Sequence, residues 1–539
     1  MNKEPVDVLI IGAGASGAAI AWSLLETRMQ ILCLEQGPHV PDSQFPSRRE
    51  DYELARYAEF SCDPNVRKLK YDYPINVEKS CITPVNYNAV GGSTINFLGH
   101  WPRMKPSDFR TATLDGVASD WPVDYATLEP FYAMNDQITG VSGLAGNPAY
   151  PDYAPGLPPI PMGKLGQTLA RGFNTMGWHW WPSDAAILSE DRDGRQKCVN
   201  AGTCDLGCAA GAKGGTNFTY WPMLENAGVE LRCESRVRKI LVDENTGLAT
   251  GVLYHGSDGQ LHEQKAELVI IACNGIGTPR LLLNSTSRLF PEGLANRSDQ
   301  VGRNLMFHPL TGVSGVFDEP MMGHEGPMAC SILSQQFYES DTERNFVRGY
   351  GLHSGRSTTP MTFALGGFGV DQPIAWGAAH REIMDTVYPY LAGLTVVAED
   401  LPEAHNRVTL DASLVDSDGM AAPKVEYRLG ENTKAMLKHG TQRASEVLYA
   451  AGAKRVLAKN SDEVWWRAGW HQMGTCRMGE DPNSSVVNGW GRCHDVKNLF
   501  IVDGSIFVTA GAVNPTSTIQ ALALYIGDSI KKNIANLFD

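Results

Sequence analysis

The segment VDVLIIGAGASGAAIAW, from Val6 to Trp22, constrains this chain more than any other stretch. Val6 to Ile11 is an apolar, β-branched run that predicts a buried strand, and the glycines that follow predict a tight turn into a helix over Ser16 to Thr27. A second apolar run, Gln30 to Glu35, predicts the next strand. Strand, helix and strand at this spacing make a βαβ unit, whose crossover forces the two strands to be parallel and places a helix over the sheet. The chain is therefore expected to be α/β, with a Rossmann-like domain at its start. Gly12, Gly14 and Gly17 take the positions of the dinucleotide fingerprint. The first allows the turn, the second lets backbone approach a pyrophosphate, and the third lets the helix pack closely. The helix N-terminus then faces the phosphates, and Glu35 at the end of the second strand is placed to accept hydrogen bonds from a ribose.

At 539 residues the chain exceeds one core. Pro38 to Asn88 is polar, aromatic and proline-marked, and reads as an excursion across the surface. The proline-dense NPAYPDYAPGLPPIPMG, from Asn147 to Gly163, excludes continuous helix or central strand and reads as a linker into another module. Beyond it, GVELRCESRVRKILVD and ELVIIACNGIGTPRLLL predict strands, the second running into a helix. The glycine-rich stretch from Phe317 to Ala458 carries alternating pieces, GLTVVAED and RVTLD, that suit an antiparallel sheet. The end returns to strand and helix in NLFIVDGSIF and TSTIQALALYIGDSIKKNI. These shifts divide the chain into a discontinuous nucleotide-binding domain, residues 1–155, 210–310 and 468–539, and a substrate domain, residues 156–209 and 311–467, that includes a cysteine-rich loop.

A net charge of −14 makes nucleic acid and anionic membrane surfaces poor partners, since neither attracts an acidic surface. The N-terminal apolar run is broken by glycines and carries Asp7, so it does not read as a secretory signal, and no run has the length of a membrane span. The cysteines are odd in number and mostly isolated in strand-like runs, the usage of a reducing compartment. A cytoplasmic location is the expectation.

Five further segments carry a resemblance. VGGSTIN (Val90 to Asn96) and GIGTPRLLLNS (Gly275 to Ser285) are similar to two signatures of the glucose-methanol-choline (GMC) family of FAD-dependent oxidoreductases. VGRNLMFHP (Val301 to Pro309), WHQMGTCRMG (Trp470 to Gly479) and VDGSIFVTAGAVNPTSTIQALA (Val502 to Ala523) resemble later blocks in the same order. The resemblance implies an FAD domain assembled from separated segments, a substrate domain on an antiparallel sheet, and oxidation of an alcohol group to a carbonyl by hydride transfer to the flavin. Gly91, Gly92, Ser93 and Asn96 would lie against the flavin or its pyrophosphate. Asp503 and Gly504 match the family's second pyrophosphate or ribitol contact, Val237 matches a backbone contact to adenine, and Thr516 matches a flavin contact. His471 matches the family's histidine base, and its neutral imidazole suits removal of a hydroxyl proton. Asn514 stands where the family has a second histidine or an asparagine; an amide can hold the substrate oxygen but cannot act as a base at neutral pH. No histidine occurs in GGSTIN itself, and His100 lies several residues beyond, so FAD is expected to be bound without a covalent link.

Two features speak to substrate and electron acceptor. The WHWWP cluster invites stacking on a sugar face or, equally, packing in a core. Cys198, Cys204 and Cys208 have the spacing C-x5-C-x3-C, similar to that of bacterial GMC sugar dehydrogenases that hold a three-iron iron–sulfur cluster and pass electrons to a cytochrome. Buried structural thiols remain the alternative reading; zinc lacks a fourth ligand at the usual spacing. The cluster reading favours a dehydrogenase with a partner such as a cytochrome subunit, which could also carry it to the periplasm. The rivals are an oxidase that makes hydrogen peroxide and a lyase of the same fold. The expected substrate is an alcohol, sugar, polyol or other hydroxylated small molecule.

Overall fold

The strand Leu261–Ile271 shows how one sequence serves two kinds of sheet. In this computed structural model, which describes residues 4–329, 331–356, 359–366, 374, 376–458, 464 and 467–537, its first half alternates between exposed and buried residues and its second half is buried throughout. The alternating half pairs antiparallel with Ala249–His255, which in turn pairs with Arg236–Val242. The continuous half runs parallel to Val6–Ile11 on one side and Leu499–Ile501 on the other. Alternation suits a sheet with one face in water, and a continuous apolar run suits parallel strands covered on both faces. Val6–Ile11 continues parallel to Ile31–Leu34, and that strand to Glu230–Arg232. The expected βαβ unit is present, with its helix at Ala15–Leu24 and a short 3₁₀ turn after it. Almost every residue of that helix is buried, because the helix Thr516–Lys532 lies against it and the Ser23 hydroxyl donates to Leu524 O at 3.2 Å.

The second sheet is antiparallel, in the order Arg455–Ala458, Leu310–Val316, Leu391–Ala398, Tyr350–Gly355, Ile332–Phe337 and Trp181–Pro182. Helices Gly163–Met176 and Glu431–Ala450 cover it, and Leu169, Phe173, Met436, Leu437 and Val447 join its core. GLTVVAED falls within this sheet as expected. RVTLD does not: Arg407–Val415 pairs with Ala421–Tyr427 and Asn76–Ser80 in a separate three-stranded sheet. Asn76–Ser80 comes from the stretch expected to cross the surface, and that expectation needs correction. Phe45, Phe60, Tyr73 and Tyr87 are buried there, and so is the Arg67–Asp72 ion pair. Prolines and polar residues hid a wall built of isolated aromatics, which leaves no periodic signal. Cys330 and parts of the 311–467 segment lie outside the described residues.

Candidate active site

The Gly12 turn packs against the backbone of Ala272. Gly12 has φ +103°, and a Cβ there would stand 2.5 Å from Ala272 O; at Gly17 it would stand 1.9 Å from Gly12 O. Gly92, at φ +53°, would bring a Cβ within 2.9 Å of Gly14 Cα, so the two glycines leave a gap that only backbone borders. Gly91 N donates to Ala13 O at 2.9 Å and holds the VGGSTIN segment on this turn. Glu35 accepts from Ala13 N at 2.9 Å and from Gly37 N at 2.8 Å. Burial pushes its carboxyl up to about 7, although these N–H donors act in the opposite direction.

A cavity of about 580 Å³ is lined at one end by Gly12, Gly14 and Glu35 and at the other by His471 and Asn514. That volume lies within the range of ordinary ligand pockets. Of the remaining sequence-predicted residues, Gly92, Ser93, Asn96, Val237, Asp503, Gly504 and Thr516 line it, whereas Gly17 and Gly91 stand behind the wall as packing and turn residues. Asp503 Oδ1 accepts from Ser505 N at 2.9 Å and its Oδ2 from the Thr278 hydroxyl at 2.5 Å, which fixes the strand end to the helix Asn274–Asn284. At Val237 the ladder with Ala249–His255 shifts register. Thr516 opens the helix Thr516–Lys532. Asn96, Gln472, Arg236 and Asn514 line the cavity, and Asn96 Oδ1, Gln472 Oε1, Arg236 Nε and Asn514 Oδ1 are buried without a hydrogen-bond partner among the described residues. Unsatisfied polar atoms on a glycine-bordered cavity fit a long polar ligand, and a dinucleotide has that form.

At the far end His471 Nε2 lies 3.3 Å from Asn514 Nδ2. His471 Nδ1 meets His308 Nδ1 at 2.8 Å, and His308 Nε2 meets Gly511 O at 2.8 Å. Two more imidazoles line the same space: His100 and His353 pack with ring centroids 5.5 Å apart. Burial lowers His471 well below its ordinary 6.5, and the neighbouring His308, His100 and His353 push the same way. Burial also lowers His308 and His100 to about 4, and His353 well below its usual range. The four rings are therefore neutral near pH 7, so the end of the cavity is polar but carries no imidazolium. This cluster was not legible in the sequence beyond His471. His308 falls in VGRNLMFHP, but its distance from His471 is tertiary. The signal for His353 is a histidine within a strand that is otherwise buried, Tyr350–Gly355.

The cysteine loop forms part of the cavity wall rather than a metal centre. Cys198 Sγ accepts from Asn200 N, Cys204 Sγ from Met328 N and Cys208 Sγ from Lys213 N, each at 3.4 Å. Burial pushes the Cys204 thiol up to about 12 and raises Cys198. Among the described residues no group of three or more His, Cys, Asp or Glu side chains is placed to hold a metal ion. The expected cluster is therefore not supported: these thiols do not come together as a metal-ligand set among the described residues, and each accepts from the backbone N–H of a different residue. Lys213 explains the fold of the loop. Its buried ammonium donates to Cys204 O at 2.6 Å, Ile95 O at 2.6 Å and Phe97 O at 2.8 Å, tying the loop to VGGSTIN. The WHWWP tryptophans also turn away from the cavity. Trp178 and Trp180 pack on the core of the second sheet, and the Trp181 indole donates to Leu144 O at 2.8 Å.

Residues 163–310 and 402–523 match the GMC oxidoreductase family, and residues 10–70 match the NAD(P)-binding Rossmann-like domain family. The chain is 40% identical to 2-methyl-1,2-propanediol dehydrogenase of Mycolicibacterium austroafricanum, over 100% of this chain and 97% of that one. It is 29% identical to the fructose dehydrogenase large subunit of Gluconobacter japonicus, over 99% of both chains. Among solved structures it shares its fold with pyridoxine 4-oxidase from Mesorbium loti, at a TM-score of 0.63 and 19% identity, over 98% of this chain and 99% of that one. It also shares it with a formate oxidase variant of Aspergillus oryzae RIB40, at a TM-score of 0.65 and 16% identity, over 100% of both chains. Among the described residues no helix is long and apolar enough to cross a membrane.

Proposed function

The chain belongs to the GMC oxidoreductase family, an oxidoreductase acting on CH–OH donors, and from that premise we propose that it oxidises an alcohol group of a hydroxylated small molecule to a carbonyl with FAD as cofactor and an acceptor other than oxygen. The observation that carries this reading is the His471–Asn514 pair, 3.3 Å apart, at the end of a cavity whose other end is the Gly12–Glu35 cradle. Gly12, Gly14, Gly92 and Glu35 would hold the nucleotide half, and Ser93, Asn96, Gly504 and Thr516 the remainder. When bound, FAD supplies the acceptor for the hydride.

The chain's own residues do the rest. A substrate hydroxyl seated against both His471 Nε2 and Asn514 Nδ2 would give its proton to the imidazole while its oxygen accepts from the amide. The carbon-bound hydrogen would leave with its electron pair for the acceptor that FAD supplies, so that the substrate becomes a carbonyl and His471 holds the hydroxyl proton.

FAD binds without a covalent bond in this reading, since no histidine stands in Gly91–Asn96 and the His100 ring packs on His353. A dehydrogenase is favoured because the relatives at 40% and 29% identity are both named dehydrogenases. A redox partner such as a cytochrome subunit enters on the second of these, a protein named as a large subunit. The reading gives no part to an iron–sulfur cluster. It is tested by adding diols, polyols and sugars to the purified flavoprotein, without oxygen to follow the flavin and in air to compare dye reduction with peroxide release. Bleaching of the flavin, dye reduction in place of peroxide release, and a fall of about 10²–10⁴-fold in His471→Ala are expected. Peroxide as the main product would reverse the choice of acceptor, and a flavin that no alcohol bleaches would remove the oxidation itself.

A further inference from the structure

The contacts behind His471 determine which of its two ring nitrogens is free. Gly511 O can only accept, so His308 Nε2, at 2.8 Å, carries the hydrogen. A neutral imidazole has one N–H, which leaves His308 Nδ1 bare. His471 Nδ1 lies 2.8 Å from that bare nitrogen and must therefore be the donor. Its own single hydrogen is then spent, and Nε2 is left without a hydrogen, its lone pair accepting from the Asn514 amide at 3.3 Å. Both rings are held neutral by burial, which is the condition the deduction needs.

The carbonyl at the head of this chain is itself held. Gly511 has φ +63°, and a Cβ would come within 3.3 Å of both Asp108 Oδ2 and the Tyr338 oxygen. Ala512 N donates to the Tyr338 oxygen at 3.1 Å, and the Tyr338 hydroxyl donates to Asp108 Oδ2 at 2.8 Å. Thr509 Oγ1 donates to Asp108 O at 2.9 Å. Asp108 is paired with Arg348, which also reaches Glu399 at 3.0 Å; all three are buried. The loop that presents Asn514 to the substrate is thus braced against the second sheet, and the same loop supplies the carbonyl that orients His308.

We propose that His308 is a positioning residue that locks His471 in the tautomer with a bare Nε2, using the Gly511 carbonyl as its reference. This deepens the proposed function, because a lock matters only if His471 Nε2 takes the hydroxyl proton. A histidine's base nitrogen is decided by what its other nitrogen does, and here that role falls to a second histidine instead of a carboxylate. A carboxylate in its place would stabilise the imidazolium and raise the basicity of His471. A neutral acceptor fixes the tautomer and leaves the ring uncharged.

The test compares His308→Phe, His308→Gln and His471→Ala as flavin-loaded enzymes. Glutamine can repeat both contacts, its amide donating to Gly511 O and its carbonyl accepting from His471 Nδ1–H; phenylalanine can make neither. Flavin content is expected to be unchanged in both, with kcat falling by about 10²-fold or more in His308→Phe at little cost in KM, and returning to within about tenfold of the parent in His308→Gln. Equal losses in the two variants, or none in His308→Phe while His471→Ala is dead, would overturn the lock and leave the base intact. Full activity in His471→Ala would overturn the base reading and the lock with it. If His308→Phe does not fold, ¹⁵N NMR of the histidine-labelled parent holoenzyme decides: a bare Nε2 on His471 and a protonated Nε2 on His308 are expected, and the opposite assignment refutes the proposal.

Discussion

At the scale of single residues, the site depends on neutrality. His471 must lack a proton to accept one, and its burial among His308, His100 and His353 moves its titration well below 6.5. The sign follows directly: lowering the pH removes the base only once the pH passes through the folded-state pKa, so a depressed pKa extends activity to the acid side. We expect kcat/KM for an alcohol to hold its plateau down to well below pH 6.5, as measured by steady-state dye reduction across pH. An acid limb centred at the ordinary histidine value would show that the ring is not buried when the cofactor is in place. Glu35 is shifted the other way, up to about 7. Its protonation near neutrality governs the nucleotide cradle rather than the proton transfer, since it sits at the opposite end of the cavity.

At the scale of elements, two loops carry the cavity wall, and each rests on one residue. Gly92 is the close-approach point against Gly14. Gly92→Ala puts a Cβ into that gap at a left-handed φ, which costs about 1–2 kcal/mol before any clash is counted. Purified Gly92→Ala is expected to retain markedly less flavin per chain, read from its absorption ratio. Lys213 ties the cysteine loop to the same segment through three carbonyls. Lys213→Met leaves those acceptors buried and unpaired, and a loss of about 2 kcal/mol or more is expected in chemical denaturation.

These elements also show where sequence reasoning succeeds. Val6–Ile11, the glycine turn and Leu499–Ile501 were legible because a buried parallel strand is a short continuous apolar run with a turn after it, a purely local signal. The wall from Phe45 to Tyr87 was not, since isolated aromatics reach the core from irregular backbone. His471 and Asn514 were legible only through motif resemblance. The His308 relay and the bracing of Gly511 by Tyr338 and Asp108 join residues far apart in sequence, and no local pattern reports such distances. Cys198, Cys204 and Cys208 mark the opposite failure: their spacing suggested ligands, and the structure engages each thiol with a different backbone N–H.

At the scale of the whole molecule, one continuous cavity links a parallel sheet made for a nucleotide to an antiparallel sheet that bears His353. The segment GGSTIN holds no histidine, cysteine or tyrosine, so the cofactor is expected to leave the protein intact when the fold is lost. Acid precipitation of the enzyme should therefore leave its flavin in the supernatant, and yellow protein in the pellet would contradict this.

The packing of helix Ala15–Leu24 against Thr516–Lys532 has a temporal meaning as well. Ribosomes make the Gly12 turn and its helix several hundred residues ahead of the helix that covers them. His471 and Asn514 arrive with it. A nascent chain therefore holds a largely apolar helix without that cover while the residues between the two are added, and a product cut short before residue 470 lacks both the base and the cover for its nucleotide cradle. Maturation is all or nothing: the same closing segment finishes the core and supplies the chemistry, so a chain with an incomplete fold has no means of reacting.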